Sequence, residues 1–269
     1  MINIKKKRKQ LHLTQEQLAD RIGVTVQAVS QWETGRTMPD PGNLPLLAEA
    51  LKITLAELLG DGHQTSWTIK DTLFSTEHMY TRMKATAEAE GLTLTQQALY
   101  YAREKHSGQY RKTGRFSEER VPYFSHPLLM VCQAHAMGIR EDETLAAVLL
   151  HDVCEDCGVR PEELPFPEPV QHIVELLTKR KDLPEEAYFR RIGEDETACL
   201  IKLLDRCSNV SLMAAVFTDE KLTEYIRETE ERILPLADNI KRSTYSSATF
   251  LLKYQISSTI ETIKAMMRR

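Results

Sequence analysis

Hydrophobic residues recur along most of this chain at spacings of three and four positions, which is the period of an amphipathic helix. Few stretches alternate apolar and polar residues as strands do, and no period of about 20 to 50 residues indicates a repeat array. The helical periodicity stops after Leu59, where glycines and polar residues follow. The pattern therefore predicts an all-α chain with domains at residues 1–60 and 73–269, joined by a linker over residues 61–72.

The first domain has clear signals for where its helices begin and end. Thr14 is placed to begin a helix that Gly23 ends, and Thr25 is placed to begin the next one. Two helices joined by a tight turn form the geometry that lays the second helix in the DNA major groove. Residues 1–60 carry eight Lys/Arg and six Asp/Glu, although the whole chain has a net charge of -4. This domain is therefore the part suited to nucleic acid.

The segment LTQEQLADRIGVTVQAVSQWETGRTMPD resembles helix-turn-helix domains of the Cro/C1 (XRE) type over about residues 3–60. The resemblance implies a five-helix domain that binds double-stranded DNA, with DNA contacts at Gln15, Gln27, Ser30, Gln31 and Arg36. Glutamine suits adenine because its amide donates to N7 and accepts from N6. Arg36 and the basic run from Lys5 to Lys9 fit phosphate contacts, which position a protein without reading sequence. A protein-interaction module is the alternative for this domain.

The second domain contains the acidic segment LLHDVCED, Leu149 to Asp156. On one continuous helix, at about 100° per residue, four of its side chains would fall within one half of the surface: His151, Asp152, Glu155 and Asp156. The apolar residues 145–150 precede them, so we expect these polar groups to lie near a core, where unpaired charges are costly. A metal site is favoured over a network of hydrogen-bonded partners.

Two imidazoles and two carboxylates form the candidate ligand set: His126, His151, Asp152 and Asp205. A mixed nitrogen and oxygen set suits manganese, iron or zinc rather than calcium. Of the five cysteines, Cys154 and Cys157 lack the second C-x-x-C that would complete a structural zinc site. We expect ordinary reduced thiols, most of them packed.

The order H-P, HD-x-x-ED and a later aspartate resembles that of HD-domain metal-dependent phosphohydrolases. More narrowly, KHSGQYRKTG, VPYFSHP, LLHDVCED, ELLTK and IKLLDRCSN are similar to the hydrolase domain of RelA/SpoT proteins and their small, single-domain relatives. The similarity covers about residues 94–240. It implies removal of the 3′-diphosphate from guanosine alarmones, (p)ppGpp, or from a related nucleotide.

The same resemblance implies a role for each site residue. His126, His151, Asp152 and Asp205 would bind Mn2+, although another divalent transition metal is possible. Glu155 and Asp156 would be the catalytic acidic pair, and the nucleotide contacts would be Arg111, Lys112 and Asn209. Two departures from the family concern substrate choice: the loop GRFSEERV is longer, and Val-Ser follows Asn209. Two hypotheses therefore remain, an active phosphohydrolase tethered to DNA and a transcription regulator whose HD domain senses a nucleotide with little turnover.

The sequence also allows predictions of the cellular compartment and of the oligomeric state. No apolar run approaches the roughly 18 residues of a membrane span, and the lysine-rich N-terminus lacks the apolar stretch of a signal peptide. We expect a cytoplasmic protein with no membrane partner. Helix-turn-helix proteins read paired half-sites, so a homodimer or higher homo-oligomer is expected. The contact should lie mainly in the second domain, because about sixty residues leave little spare apolar surface.

Overall fold

A computed structural model of the chain describes residues 4–34, 37, 39, 43–53, 58, 75–111 and 121–268. In these residues the regular structure is helical, which confirms the all-α class, and extended pairing is limited to an isolated antiparallel bridge between Tyr110 and Pro122. The chain divides into two compact units, Met1–Asp71 and Thr72–Arg269. The predicted linker over residues 61–72 lies outside the described residues. Within the described ranges, no helix is long and apolar enough to cross a membrane.

The first unit is described through four helices: α1 (Ile4–Gln10), α2 (Gln15–Ile22), α3 (Val26–Glu33) and α4 (Leu44–Ala50). They enclose a small core of buried residues, chiefly Leu18, Ile22, Val29, Leu47 and Leu51. The fifth helix that the resemblance implies stays a prediction, since residues 54–57 and 59–74 lie outside the described part of the chain.

Capping side chains explain why α2 and α3 begin where they do. The Thr14 hydroxyl accepts a hydrogen bond from the Gln17 backbone N–H (3.1 Å), and the Gln17 side chain accepts one from the Thr14 N–H (2.9 Å). Gly23 adopts the left-handed conformation (φ 70°) that ends α2. The Thr25 hydroxyl then accepts from the Ala28 N–H at 3.1 Å and caps α3. The predicted helix, turn and helix are therefore confirmed.

The second unit contains ten further α-helices among the described residues: α5 (Thr76–Ala89), α6 (Thr93–Lys105), α7 (Ser125–Ala136), α8 (Asp142–Leu150), α9 (Val153–Cys157), α10 (Glu168–Leu177), α11 (Glu185–Gly193), α12 (Glu196–Val216), α13 (Asp219–Glu228) and α14 (Ser246–Met267). A π-helical turn (Thr229–Ile233) and 3-10 turns (Pro161–Glu163, Leu234–Asn239, Ser243–Tyr245) complete it. Helix α8 is central: it packs against α6, α7 and α10, and each of its residues from Thr144 to Leu150 is buried.

The acidic segment is not one continuous helix, and that prediction was wrong. Helix α8 ends at Leu150, α9 begins at Val153, and His151 and Asp152 form a turn between them. The imidazole Nδ1 of His151 lies 2.9 Å from the Val148 carbonyl oxygen, so the side chain bonds to the last turn of α8. The break brings His151 and Asp152 together instead of separating them as consecutive positions on a helix would.

Asp142 connects the first turn of α8 to the start of α6. Its carboxylate accepts from the backbone N–H groups of Leu94 and Thr95 at 2.8 Å each, and from the Thr95 hydroxyl at 2.7 Å. The residue at the N-cap position of α6, Leu92, provides no side-chain cap of its own. A carboxylate from 48 residues away therefore satisfies N–H groups that the helix leaves open and lies at the positive end of its dipole.

Replacing Asp142 with alanine tests this long-range cap. We expect Asp142→Ala to lower the free energy of unfolding of the second unit by about 1–2 kcal/mol, the usual value of a helix cap. Urea denaturation followed by circular dichroism measures the loss. The matched control is the exposed neighbour Glu143, whose replacement by alanine should change stability by no more than about 0.5 kcal/mol. Equal losses in both variants would contradict the cap.

Candidate metal centre and DNA-facing surface

Three of the predicted ligands lie close together, between the first turn of α7 and the end of α8. One donor atom from each of His126, His151 and Asp152 lies within 4.8 Å of the other two. His126 belongs to the first turn of α7, and its ring centroid is 5.3 Å from that of His151. The two histidine side chains are 2% and 4% exposed, so their ring nitrogens need partners inside the protein.

The hydrogen bonds of the two imidazoles fit a divalent cation. The Val148 carbonyl can only accept, so Nδ1 of a neutral His151 carries the proton and Nε2 carries a lone pair. This Nε2 is buried and has no hydrogen bond, although Asp152 Oδ2 lies only 2.8 Å away. Two acceptor atoms this close are stable when a cation or a proton lies beside both.

Asp205, the fourth predicted ligand, borders this group without being part of it. It lies in the middle of α12, and its Oδ1 is 3.3 Å from Nε2 of His126. The same Oδ1 accepts from the Asn209 amide at 2.6 Å, while Oδ2 pairs with the Lys202 ammonium at 3.2 Å. Metal ligation by Asp205 therefore stays a prediction.

Burial and neighbouring charges set the protonation of these groups. Burial lowers the pKa of His126. At His151 burial acts in the same direction, but the adjacent Asp152 carboxylate outweighs it and raises the pKa to about 9. Burial alone would raise the pKa of both aspartates, yet His151 holds that of Asp152, and Lys202 that of Asp205, below the ordinary range. In the metal-free protein at neutral pH, His151 therefore holds a proton that an incoming cation must displace.

The predicted catalytic pair, Glu155 and Asp156, lies on α9, which directly follows the predicted ligands His151 and Asp152. Both residues are exposed to solvent, and the Glu155 carboxylate accepts from the Lys179 backbone N–H at 3.0 Å. Part of the Glu155 side chain is still desolvated, which raises the pKa of its carboxyl group. The Asp156 N–H donates to the Asp152 carbonyl oxygen at 2.9 Å, which keeps α9 in register with the turn.

Hydrogen bonds connect two of the predicted nucleotide contacts to Asp205, the fourth predicted metal ligand. A guanidinium nitrogen of Arg111 donates to the side-chain amide oxygen Oδ1 of Asn209 at 2.7 Å, and the amide nitrogen of Asn209 donates to Asp205 Oδ1 at 2.6 Å. Burial lowers the pKa of Arg111, which nevertheless remains a cation. Lys112 lies outside the described residues. The structure thus brings Arg111 and Asn209 together beside Asp205, and their role in substrate binding stays a prediction.

Three residues that sequence reasoning did not single out support this site. The Tyr123 hydroxyl donates to Asp152 Oδ2 at 2.6 Å, and Ser208 Oγ lies 3.0 Å from Nδ1 of His126. Burial and the Asp152 charge raise the pKa of Tyr123, so it stays a neutral donor. Lys202 is the third. A usable signal existed, because Lys202 and Ser208 stand three residues before and after Asp205 and so share its side of α12.

One residue of the basic run in the first unit is structural. The Arg8 guanidinium binds both carboxylate oxygens of Glu33 (2.6 and 3.0 Å) and donates to the Leu13 carbonyl. Arg8 is 8% exposed, so its prediction as a phosphate anchor was wrong. The pair joins α1 to α3, and the Gln15 amide also donates to Glu33 at 2.8 Å. A contact from Gln15 to DNA stays a prediction.

The remaining predicted DNA contacts lie on or after α3. Gln27 is exposed, and Ser30 and Gln31 are half-buried. Gln27 and Gln31 are four residues apart and so share one side of the helix. The Thr37 hydroxyl lies 3.4 Å from the Gln31 side-chain oxygen. Arg36 lies outside the described residues.

Comparison with known proteins assigns each unit to a class. Residues 4–58 match the helix-turn-helix family. The guanosine-3′,5′-bis(diphosphate) 3′-pyrophosphohydrolase of Aquifex aeolicus is 37% identical over 155 residues, which are 54% of this chain and 21% of that protein. The enzyme of that name called MESH1 in Xenopus tropicalis is 33% identical over 147 residues, 50% of this chain and 80% of that protein.

A solved structure agrees with these relatives. It is described as a metazoan ortholog of SpoT that hydrolyzes ppGpp, and it superposes with a TM-score of 0.51 at 25% identity, over 63% of this chain and 94% of the other. This chain therefore combines a helix-turn-helix unit with an all-α unit in which two histidines and an aspartate fit a metal site. It belongs to the family of guanosine-3′,5′-bis(diphosphate) 3′-pyrophosphohydrolases that includes MESH1. It spans about a fifth of the length of the longer relatives it matches.

The raised pKa of His151 predicts how metal affinity depends on pH. Below about pH 9 the metal must displace the His151 proton, so the apparent dissociation constant should fall about tenfold per pH unit from about pH 6.5 to 8.5. Calorimetric titration with Mn2+ in buffers of different ionisation enthalpy measures both affinity and the proton released. The control variant His135→Gln alters a histidine outside the site and should keep this slope. Affinity independent of pH over that range would contradict the prediction.

Proposed function

We propose that this chain is a DNA-binding, metal-dependent nucleotide phosphohydrolase that removes the 3′-diphosphate of (p)ppGpp or of a related nucleotide. The first domain, residues 1–60, would bind double-stranded DNA. A linker over residues 61–72 would join it to a hydrolase domain over residues 73–269, with its core at 94–240. The observation that carries the proposal is the convergence of two buried imidazoles and one carboxylate, with the Nε2 of His151 lacking a hydrogen bond.

His126, His151 and Asp152 would hold the metal, and Asp205 would complete the set after releasing its bond to Asn209 or Lys202. We propose Mn2+, because the mixed nitrogen and oxygen set suits it and the RelA/SpoT resemblance implies it. When bound, such a cation brings the pKa of a water towards neutrality and offsets negative charge on a phosphoryl oxygen.

Glu155 is proposed as the general base that takes the proton from the attacking water. The raised pKa of its carboxyl group supports this role, because a base works best when its pKa approaches the working pH. The hydrogen bond from the Lys179 N–H holds the carboxylate in place. Asp156 is proposed to assist on the same short helix.

Arg111 is proposed to bind the nucleotide. Its planar guanidinium offers two parallel donors to a phosphate, or a face on which a guanine base can stack, and Asn209 holds it. Lys112 would add a point charge. The inserted loop that follows Lys112 and the Val-Ser after Asn209 are the places where substrate choice could differ from that of relatives.

A regulator that senses a nucleotide with little turnover is the second candidate. It is favoured by Asp205, because both of its carboxylate oxygens are engaged by Lys202 and Asn209 in the present arrangement. The protein would then bind the nucleotide and change its affinity for DNA without releasing pyrophosphate.

Pyrophosphate release from a nucleotide panel tests the proposal. Full-length protein with Mn2+ is incubated with ppGpp, pppGpp, GTP and ATP, with a chelator in the parallel reaction. The hydrolase proposal expects metal-dependent release from the alarmones. Tight binding of ppGpp without release would support the sensor, and neither binding nor release would exclude both.

Two substitutions separate metal binding from chemistry. Glu155→Gln should keep the metal and slow turnover by about 10²-fold or more, the usual contribution of a general base. Asp152→Ala should lose both, because it removes one of the ligands. Elemental analysis and initial rates measure the two quantities in parallel. Normal rates in Glu155→Gln would remove it from the mechanism, and full metal occupancy in Asp152→Ala would remove Asp152 from the ligand set.

DNA binding has its own pair of variants. Gln27→Ala should reduce discrimination at one base pair by about 1–3 kcal/mol, since its amide would read a base edge. Lys9→Ala, also exposed on the first unit, should weaken binding to all sequences alike and lower the salt slope by about 1. Fluorescence anisotropy with the upstream DNA of its own gene and with random duplex measures both. Equal affinity for the two duplexes at physiological salt would exclude sequence-specific binding to this DNA.

A further inference from the structure

Helix α9 is too short to hold its place without contacts to the rest of the second unit. It has five residues, Val153–Cys157, whereas isolated helices shorter than roughly 12–15 residues are marginal in water. Asp152, at its N-cap position, provides no side-chain cap. The placement of Glu155 and Asp156 therefore depends on what contacts this helix.

Two paired segments present one side to α9. The Tyr123 backbone N–H donates to the Gln109 carbonyl oxygen at 2.9 Å. The Arg111 N–H donates to the Val121 carbonyl oxygen, also at 2.9 Å. Side chains alternate between the two sides of an extended pair, so those of Gln109, Arg111 and Tyr123 share a side.

Two of these side chains bond to opposite ends of α9. The Tyr123 hydroxyl donates to Asp152 Oδ2 at 2.6 Å, just before the helix begins. The Gln109 side-chain amide donates to the Asp156 carbonyl oxygen at 3.3 Å, near the end of the helix. The last carbonyl groups of a helix have no partner within it, so the Gln109 amide supplies one that α9 lacks.

His106 contacts both of these side chains. Its Nδ1 lies 2.7 Å from Gln109 Oε1, and its ring centroid is 4.8 Å from that of Tyr123, with the planes tilted by 33°. The Asp156 carbonyl can only accept, so the amide nitrogen of Gln109 is directed to α9 and its oxygen to His106. His106 is 2% exposed, so it supports both residues from inside the unit. We call Gln109, Tyr123 and His106 the α9 clamp.

We propose that the α9 clamp positions the catalytic pair against the metal site, and that Gln109 and Tyr123 are positioning residues of the reaction. Tyr123 acts through the carboxylate of Asp152, and Gln109 acts through the backbone of Asp156. The inference rests on the proposed function, which gives the acidic pair of α9 its catalytic role. A misplacement of about 1 Å can slow an enzyme about 10²-fold, so a loose α9 would lose turnover without losing a contact to the nucleotide.

The proposed nucleotide contacts are separate from the clamp side chains. Arg111 is held by the Asn209 side chain at 2.7 Å and by its own backbone bond to Val121 at 2.9 Å. Neither bond involves the side chain of Gln109 or Tyr123. A substitution at Gln109 should therefore change kcat and leave the KM for the nucleotide almost unchanged.

Gln109→Met tests one end of the clamp in the full-length protein, because it keeps the side-chain length and removes the amide. Amide hydrogens of residues 153–157 in the metal-free protein should exchange about fivefold faster, the factor that one ordinary hydrogen bond supplies. With Mn2+, kcat for the best nucleotide of the panel should fall about 10- to 10²-fold, while KM and the Mn2+ dissociation constant change less than about twofold. Mass spectrometry and initial rates measure these quantities. The matched control is Gln97→Met, at an exposed glutamine of α6, which should behave as wild type.

Tyr123→Phe tests the other end and removes only a hydroxyl. Exchange in α9 should again be faster, and the dissociation constant for Mn2+ should rise about 10- to 100-fold, the usual effect of removing a partner of a ligating carboxylate. Calorimetric titration measures the affinity. The matched control is Tyr110→Phe, at a residue that is 51% exposed on the other side of the paired segments and should change neither quantity.

Three outcomes would overturn the proposal. They are wild-type exchange of α9 in both variants, faster exchange of α9 with wild-type kcat in Gln109→Met, and a rise of KM without a fall of kcat in that variant. If α9 exchanges faster in both variants but the wild type hydrolyses no nucleotide of the panel, the contacts of the clamp stand and the hydrolase proposal is what fails.

Discussion

The interaction on which the second unit depends is the packing of two imidazoles and a carboxylate in the space where the buried helix α8 ends. Each residue of α8 from Thr144 to Leu150 is buried, so the polar side chains that follow enter surroundings with little water. Charged groups persist there only with close partners. Each member of the group has one: the Val148 carbonyl for His151, Ser208 for His126 and Tyr123 for Asp152. These partners aim the remaining donor atoms at one another, which is the arrangement that a divalent cation requires.

Helix α12 extends this arrangement outwards. Asp205 bonds to Lys202 on one side and to Asn209 on the other, and Asn209 in turn holds Arg111. The Lys202 ammonium compensates the carboxylates beside it. A cation or a phosphate that binds at either end therefore changes charges and hydrogen bonds along one connected set of side chains. These hydrogen bonds are compatible with both proposed functions. In a hydrolase as in a nucleotide sensor, the residues that bind the nucleotide would have to be linked to the residues that bind the metal.

In the first unit, structural residues and the predicted DNA contacts are interleaved along the same short helices. Arg8 is part of a lysine-rich run, yet its guanidinium forms an ion pair with Glu33, and this pair holds α1 against α3. Its neighbour Lys9 stays exposed, as does Gln27 on α3. A unit this small has few side chains to spare for self-association.

The sequence alone determined the features that depend on neighbours along the chain. Thr14, Gly23 and Thr25 set helix ends because capping groups act within three or four residues, and the helical period predicted the all-α class. The motif residues His151 and Asp152 were found because adjacent His and Asp after an apolar run need partners, and His126 was found because it precedes Pro127 at the start of an apolar helix. Tertiary structure decided the break between α8 and α9, the Asp142 cap on α6 and the burial of Arg8 by Glu33. Each of these three features depends on residues that are distant in sequence or on the surroundings of the residue in the fold. A local sequence pattern does not indicate which distant residue will become the partner.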